Sequence, residues 1–149
     1  MNIIEFYESA NREKWLSQIR LCDWKAGPFL CELIDKDKFY STLGETSKLF
    51  LLTDKDKLVS FCTLCEKDEI HDTQFTPWVG FVYTFPENRG KRCIGLLLDK
   101  VLSAAKQSGY ENVYISTDQI GLYEKYGFEF VRMMKTIYGG ESRVYRKNT

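Results

Sequence analysis

A strand, a basic glycine-containing turn and an amphipathic helix follow one another between residues 78 and 105, and this succession limits the folds open to the chain. The strand, Trp78-Val-Gly-Phe-Val-Tyr-Thr-Phe85, is rich in β-branched and aromatic residues and is ended by Pro86. The helix after the turn has apolar residues at three- and four-residue spacing, namely Ile94, Leu97, Leu98, Val101, Leu102 and Ala105. The pattern predicts an α/β fold in which the turn joins a strand to a helix.

The turn, Arg89-Gly-Lys-Arg92, has the properties of an anion-binding site. The first N–H groups of a helix have no partners inside it and the helix dipole is positive there, so anions are attracted. The turn adds three cationic side chains. A basic helix start is also often only a solvated surface, and both interpretations are open at this point. The P-loop and Rossmann glycine patterns are missing, which excludes a phosphate site of either kind.

Length and charge narrow the class of protein. The 149 residues are enough for one domain with a buried core, and we expect a single domain over residues 1–149. Lys plus Arg and Asp plus Glu each total 21, and this neutral balance argues against nucleic-acid binding. The first residues lack the basic segment and the apolar segment of a signal peptide, and no apolar run is long enough to span a membrane. We therefore expect a cytoplasmic monomer or homodimer with no membrane or nucleic-acid partner.

The five cysteines are expected to be reduced and mostly buried, because their number is odd and no secretory context is evident. Cys62-Thr-Leu-Cys65 matches the Cys-x-x-Cys pattern. A zinc site needs four ligands, however, and the chain has one histidine, His71, and no second cysteine pair. Residues three apart on a strand also point to opposite faces. We predict no metal.

Hydrophobic periodicity predicts the element order β-α-α-β-β-β-α-β-α-β-β. Strands are expected at 2–7, 48–53, 58–66, 78–85, 112–116, 128–134 and 142–146. Helices are expected after Ser9, from 29 to 40 beyond a break at Gly27-Pro28, from 91 to 107 and from 119 to 126. Strands adjacent in sequence are expected to pair antiparallel, whereas the helical crossover from 78–85 to 112–116 predicts one parallel pair. The predicted fold is α/β with a mixed, mostly antiparallel sheet and flanking helices.

This order resembles the GCN5-related N-acetyltransferase (GNAT) family over nearly the whole chain. Two motifs carry the resemblance, the basic glycine turn after the fourth strand and Leu122-Tyr-Glu-Lys-Tyr-Gly-Phe128 after the fifth. It implies the GNAT-like acyl-CoA N-acyltransferase fold, with acetyl-CoA as co-substrate held between two splayed strands and its diphosphate at the turn. The residues that the resemblance places at acetyl-CoA are Phe81, Val82, Tyr83, Arg89, Gly90, Lys91, Arg92, Cys93, Ile94, Gly95 and Tyr123.

The turn departs from the family pattern Arg/Gln-x-x-Gly-x-Gly/Ala. Arg89 takes the first position, Arg92 stands where the first glycine is usual, and Ile94 stands at the second glycine or alanine position. Glycine is favoured because the backbone approaches phosphate closely there, and Arg92 offers a charge-assisted hydrogen bond instead. The resemblance implies acetyl transfer to a primary amine by direct attack in a ternary complex. The alternative is a catalytically inactive CoA-binding sensor or interaction module on the same fold.

The resemblance makes Tyr123 the general acid that protonates the departing thiolate, with Tyr126 as the backup donor. A phenol with a reference pKa of about 10 suits a thiolate of comparable basicity. The other interpretation of Tyr123 is a packed aromatic residue. The acetyl carbonyl is expected to meet backbone N–H groups near Phe81 to Tyr83, where a β-bulge would free a donor.

The acceptor side is open. Glu66, Asp68, His71 and a water chain are all candidates for the general base, and a solvated connection is the alternative interpretation of that polar run. The acceptor is expected to be the amine of a small molecule or peptide. The residues predicted to contact it are Trp24, Phe29, Glu66, Asp68 and Tyr138.

Overall fold

Seven strands form one sheet in the order β1-β2-β3-β4-β5-β7-β6. The computed structural model describes residues 1–149. All neighbouring strands are antiparallel except β4 and β5, which run parallel. The predicted mixed, mostly antiparallel α/β fold is therefore confirmed. The strands are β1 (Asn2–Glu5), β2 (Lys48–Asp54), β3 (Lys57–Cys65), β4 (Trp78–Thr84), β5 (Asn112–Thr117), β6 (Glu129–Lys135) and β7 (Glu141–Asn148).

Helices cover both faces of the sheet. They are α1 (Arg12–Ile19), α2 (Ala26–Asp35), α3 (Phe39–Leu43) and α4 (Cys93–Gln107), with 3₁₀ turns at Phe6–Glu8, Pro86–Asn88 and Tyr123–Tyr126. One core lies under α1 to α3 and a second lies under α4 and the Tyr123–Tyr126 turn. Side chains along β3 point alternately to the two faces of the sheet and so contribute to both cores. Cys62 belongs to the core on the α4 side, and Cys65 belongs to the core under α1 to α3. No helix is long and apolar enough to cross a membrane.

The predicted break at Gly27-Pro28 is wrong, because both residues lie in the first turn of α2. Proline is tolerated there, since the N–H that it lacks would have no partner in the helix. Gly27 lets α1 and α2 approach closely, as an added Cβ would overlap the Cys22 sulfur and lie 3.2 Å from the carbonyl oxygen of Ile19. The helix expected over 29–40 is two helices, separated near Asp37, whose φ is 56°.

The expectation that β5 and β6 pair is also wrong. The β6–β7 hairpin docks through β7, which lies between β5 and β6. Val144 and Tyr145 of β7 are fully buried, whereas β6 exposes most of its residues. The inner strand is thus the one that buries Val144 and Tyr145, although β7 is by composition the less apolar of the two strands, and β6 becomes the sheet edge. The helix expected over 119–126 is only the 3₁₀ turn Tyr123–Tyr126.

Candidate active site

A split in the sheet between β4 and β5 opens into a large cavity. The two strands pair only at Trp78 with Tyr114 and at Val79 with Ile115. Beyond these pairs a cavity of about 1100 Å³ opens between the strands. The split connects the α4 face of the sheet with the α1–α2 face, so groups held on opposite faces can meet within it.

A β-bulge lies at the start of the split. Thr63 of β3 pairs with Gly80 and Phe61 pairs with Tyr83, so Phe81 and Val82 together oppose Cys62. Phe81 has a φ of 48°, which is in the left-handed region that a bulky residue rarely adopts. The bulge that the sequence predicted near Phe81 to Tyr83 is therefore present. Its side chains diverge, with Phe81 packed toward the α1–α2 core and Val82 toward the α4 core.

The turn before α4 presents a run of free backbone donors. The N–H groups of the five residues from Gly90 to Ile94 have no acceptor within the protein. Gly90 and Arg92 have φ values of 79° and 58°, and Arg92 is the residue before the first turn of α4. Such left-handed residues beside helical ones make the N–H groups converge on one point, an arrangement that binds anions. The turn therefore fits a diphosphate, although arginine occupies the position where glycine was expected.

The cationic side chains of the turn are arranged unequally. Arg89 donates through Nε to the carbonyl oxygen of Thr84 (2.9 Å) and through a terminal nitrogen to Asp23 (3.3 Å). Arg92 lies over the ring of Tyr126, 4.9 Å from its centre. Lys91 is exposed and does not line the cavity, whereas Lys125 does. Arg89 is thus tied to the protein, while Arg92 caps an aromatic ring beside the N–H cradle.

Asp23 links the loop between α1 and α2 to the end of β4. Besides Arg89, it accepts a hydrogen bond of 2.5 Å from the hydroxyl of Tyr83. This hydrogen bond, with the nearby guanidinium, lowers the pKa of Asp23. The loop that carries Trp24 is thereby held against the cavity.

Tyr123 lies on the α4 face of the split, buried and lining the cavity. No protein group is hydrogen-bonded to its hydroxyl. Burial, with the nearby Cys62 and Tyr126, raises the pKa of Tyr123 well above its usual range. The phenol therefore stays protonated through the physiological pH range. Such a hydroxyl has a proton to donate and no internal acceptor that competes for it.

Tyr126 also lines the cavity, and its ring packs against Gly95. An added Cβ at Gly95 would lie 3.0 Å from the ring, so this glycine makes room for the tyrosine. Gly95 itself does not line the cavity, unlike Cys93 and Ile94. The structure therefore relates Gly95 to packing, one step away from the N–H cradle.

Asp68 lies on the opposite face of the sheet, with its carboxylate against the backbone of Gly80. An added Cβ at Gly80 would overlap Oδ1 of Asp68 and lie 3.1 Å from the hydroxyl of Thr63, which places all three on the α1–α2 side. Burial raises the pKa of Asp68 to about 7, against a smaller opposing effect of the Glu69 N–H. A carboxyl group that changes charge near neutral pH is suited to accept a proton.

The other candidate bases are placed differently. Glu66 accepts a hydrogen bond of 2.6 Å from the Thr46 hydroxyl and lies outside the cavity. His71 is exposed at the cavity rim. The prediction that Glu66 contacts the acceptor therefore has no support from its position, whereas Asp68 is well placed.

Aromatic side chains form a wall beside Asp68. The rings of Trp24 and Tyr83 are stacked with centres 5.9 Å apart, and Phe81 lies 6.4 Å from Trp24 and 6.2 Å from Phe29. Tyr138, in the turn between β6 and β7, is exposed at the rim of the same cavity. The structure thus brings together four of the five predicted acceptor residues.

Three residues of the site were not singled out from the sequence. Glu69 accepts a hydrogen bond of 2.6 Å from Ser116, and its carbonyl oxygen accepts one of 2.8 Å from the N–H of Ile137. Lys125 lies inside the motif Leu122–Phe128, and Glu69 lies between the candidate bases Asp68 and His71. Asp23 gives no local signal, because its contacts with Tyr83 and Arg89 span 60 and 66 residues.

The side chains place no group of three or more histidine, cysteine, aspartate or glutamate residues where they could hold a metal ion. All five cysteines are free thiols. Burial raises the pKa of the Cys62 and Cys65 thiols, which lie on opposite faces of β3. Neither thiol lines the cavity.

Comparison with known proteins places the chain among acetyltransferases. Residues 24–131 match the family model described as the acetyltransferase (GNAT) domain. Among solved structures, an aminoglycoside 6′-N-acetyltransferase complexed with coenzyme A is 14% identical, with a TM-score of 0.70 over 99% of this chain and 97% of that one. An aminoglycoside 6′-acetyltransferase type Ii is 16% identical, with the same TM-score and the same coverage.

A GNAT family acetyltransferase from Elizabethkingia anophelis with acetyl-CoA bound is 19% identical, with a TM-score of 0.68 over 99% of this chain and 97% of that one. No protein of curated function matches the sequence. At these identities the structural likeness is a likeness of fold.

Proposed function

Because the chain belongs to the GNAT acetyltransferase family, we propose that it transfers the acetyl group of acetyl-CoA to a primary amine by direct attack in a ternary complex. One observation carries the proposal. The split between β4 and β5 lies between the free N–H groups and Tyr123 on one face and Asp68 with its aromatic wall on the other. Binding of CoA by relatives of the same fold supports the thioester as co-substrate.

The α4 side of the cavity would bind and activate the thioester. The N–H groups from Gly90 to Ile94 would receive the diphosphate, and Arg92 adds positive charge beside them. At the bulge, Phe81 and Val82 have no one-to-one pair on β3 and no pair on β5, so a backbone N–H there would be available to the acetyl carbonyl. Donors aimed at an oxygen that gains negative charge stabilise the transition state.

The proton transfers would occur on opposite sides of the reacting carbon. The amine nitrogen forms the C–N bond while the C–S bond breaks, Asp68 accepts the proton that the nitrogen loses, and Tyr123 donates its phenolic proton to the departing thiolate. Asp68 must be ionised for this, so activity should rise as the pH increases through about 7. Tyr123 is protonated over the same range, because burial raises its pKa.

Thermal unfolding with and without acetyl-CoA tests the first step. A ligand bound only by the folded state stabilises it by about 2.7 kcal/mol at 100 times its Kd. For a chain of this size that is a rise in Tm of about 5 to 10 °C. An unchanged Tm up to millimolar acetyl-CoA would contradict the proposal.

The Tyr123→Phe variant tests the assigned acid. It should lower kcat about 100-fold or more while leaving the Kd for acetyl-CoA unchanged, because only the donated proton is lost. Tyr40→Phe, outside the cavity, is the matched control. Acetyl-CoA binding with no transfer to any amine, even by the wild type, would instead favour the inactive CoA-binding module.

A further inference from the structure

The acceptor side of the cavity has a distinct chemical composition. Of the cationic residues that line the cavity, Arg92 and Lys125 lie at the turn before α4 and beside Tyr123, whereas Arg89 reaches the Tyr83 ring but is paired with Asp23. The opposite face carries two carboxylates from the β3–β4 connection, Asp68 and Glu69, and neither forms an ion pair. An ammonium group is therefore attracted to this face and not to the other.

Only one of these two carboxylates lacks a side-chain hydrogen-bond partner. Glu69 is held by the Ser116 hydroxyl, and Ser116 in turn lies 2.8 Å from the hydroxyl of Ser142. Asp68 is then the one carboxylate that reaches the split without a side-chain partner. The remaining acidic residue of the lining, Asp118, follows β5 and is not part of this pair. A ligand with several ammonium groups would find only one carboxylate without a side-chain partner at this surface.

The rest of this face is aromatic, and the wall begins next to the carboxylate. Gly80, against which Asp68 lies, is followed directly by Phe81, and their Cα atoms are about 3.8 Å apart. Phe81 packs with Trp24 and Phe29, of which 36% and 45% of the surface remains exposed. An aromatic ring that is exposed in a cavity can stack with, or pack edge to face against, the ring of a ligand. The arrangement suits an ammonium group and a ring joined by a short stem.

We propose, on the basis of the proposed function, that the acceptor is an arylalkylamine with one primary ammonium group two or three carbons from a single aromatic ring. Asp68 binds the ammonium group. The ring packs against the exposed faces of Trp24 and Phe29 next to Phe81, a site that we call the slot. A polycationic acceptor would pair only one of its amino groups with the unpartnered carboxylate of this surface.

Tryptophan fluorescence provides a test that does not depend on acetyl transfer. Trp24 is the exposed tryptophan, since Trp15 and Trp78 are 4% and 0% exposed, so a ligand at the slot changes the emission of one residue. The full chain with saturating CoA is titrated with 2-phenylethylamine. The comparison ligands are propylamine, which lacks the ring, 2-phenylethanol, which lacks the charge, and kanamycin, which carries several ammonium groups. We expect saturable binding of 2-phenylethylamine with a Kd at least tenfold below that of each comparison ligand.

Two variants locate the binding. Phe29→Ala should weaken binding of 2-phenylethylamine about tenfold and leave binding of propylamine unchanged, because only the ring loses a partner. Phe130→Ala is the matched control, since Phe130 is 46% exposed, close to the value for Phe29, but lies on β6 outside the cavity. Equal effects of the two variants, or equal affinity for propylamine or kanamycin, would overturn the proposal.

The two proposals fail in different ways. Binding of 2-phenylethylamine without its acetylation would contradict the acetyl-transfer function and leave the slot standing. Acetylation of kanamycin without binding of 2-phenylethylamine would overturn the acceptor class and leave acetyl transfer standing.

Discussion

The contact between Asp68 and Gly80 shows how the absence of a side chain at one residue lets a charged side chain occupy the space beside it. Because Gly80 has no Cβ, the carboxyl group can lie against β4 at the mouth of the split. The carboxyl group is also buried there, and burial raises its pKa to about 7. The proton affinity that goes with this position is testable through one substitution.

The Asp68→Asn variant should be more stable than the wild type above pH 7. In the unfolded chain an aspartate has a pKa of about 3.9. Between about pH 4 and 7 the folded wild type therefore binds a proton that the unfolded chain has lost, and its stability falls as the pH rises. Asparagine resembles the protonated carboxyl group and does not ionise, so the variant does not lose stability in this way as the pH rises. The difference in Tm between variant and wild type should grow from near zero at pH 4 to a plateau above pH 7.

The matched control is Glu66→Gln, which removes a carboxylate two residues away and outside the cavity. A parallel pH dependence in both variants would show that the general charge of this connection, and not the placement of Asp68, is responsible. The Asp68→Asn variant should also lose most of its acetyl transfer, so that the most stable form is the inactive one.

At the scale of elements, the start of α4 keeps the backbone geometry of a glycine with an arginine in place. Arg92 has a φ of 58°, which costs a residue with a Cβ about 1 kcal/mol or more relative to glycine. Its guanidinium lies 4.9 Å from the centre of the Tyr126 ring, a cation–π contact that offsets part of this cost. The turn thus presents its N–H groups despite the departure from the family pattern.

A pair of substitutions at position 92 separates the backbone cost from the side-chain contact. Arg92→Ala and Arg92→Gly both remove the guanidinium, but only alanine retains the left-handed strain. We expect the glycine variant to be more stable than the alanine variant by about 1 kcal/mol in urea unfolding, with both binding acetyl-CoA through the same N–H groups. Equal stability of the two would mean that the backbone at this residue is not strained.

What the sequence predicts at this scale depends on how local the cause is. The strands and α4 follow from periodicity within each segment, and the turn and Tyr123 follow from short motifs. The start of α2 depends on the approach of Gly27 to α1, and the inner position of β7 depends on competition with β6 for burial. Neither is visible in a local window. Asp23 is hidden for the same reason, whereas the placement of Trp24, Phe29 and Asp68 around one cavity could be predicted because the resemblance supplies the fold.

At the scale of the whole molecule, the sheet consists of two well-paired parts that meet at a short seam. Strands β1 to β4 form one part and β5 to β7 the other, joined by two residue pairs between β4 and β5. Such an opening leaves backbone groups of β4 without ladder partners, and the turn before α4 adds five more free N–H groups. The polar backbone of the site is therefore concentrated in one stretch, residues 80–95, that a CoA thioester would cover.

Hydrogen exchange should reveal this stretch directly. In the free protein, the amides of residues 90–94 within this stretch should exchange within the shortest labelling times, because they have no acceptor within the protein. Acetyl-CoA should slow them selectively, since it supplies acceptors to the bulge and the turn. Residues 48–65 in the β2–β3 hairpin are the internal control, because their amides are already protected and short labelling does not report global stabilisation. Slowing that is equal in both regions would indicate general stabilisation without binding at the split. Slowing confined to 80–95 would show that the gap in the sheet is completed by the ligand.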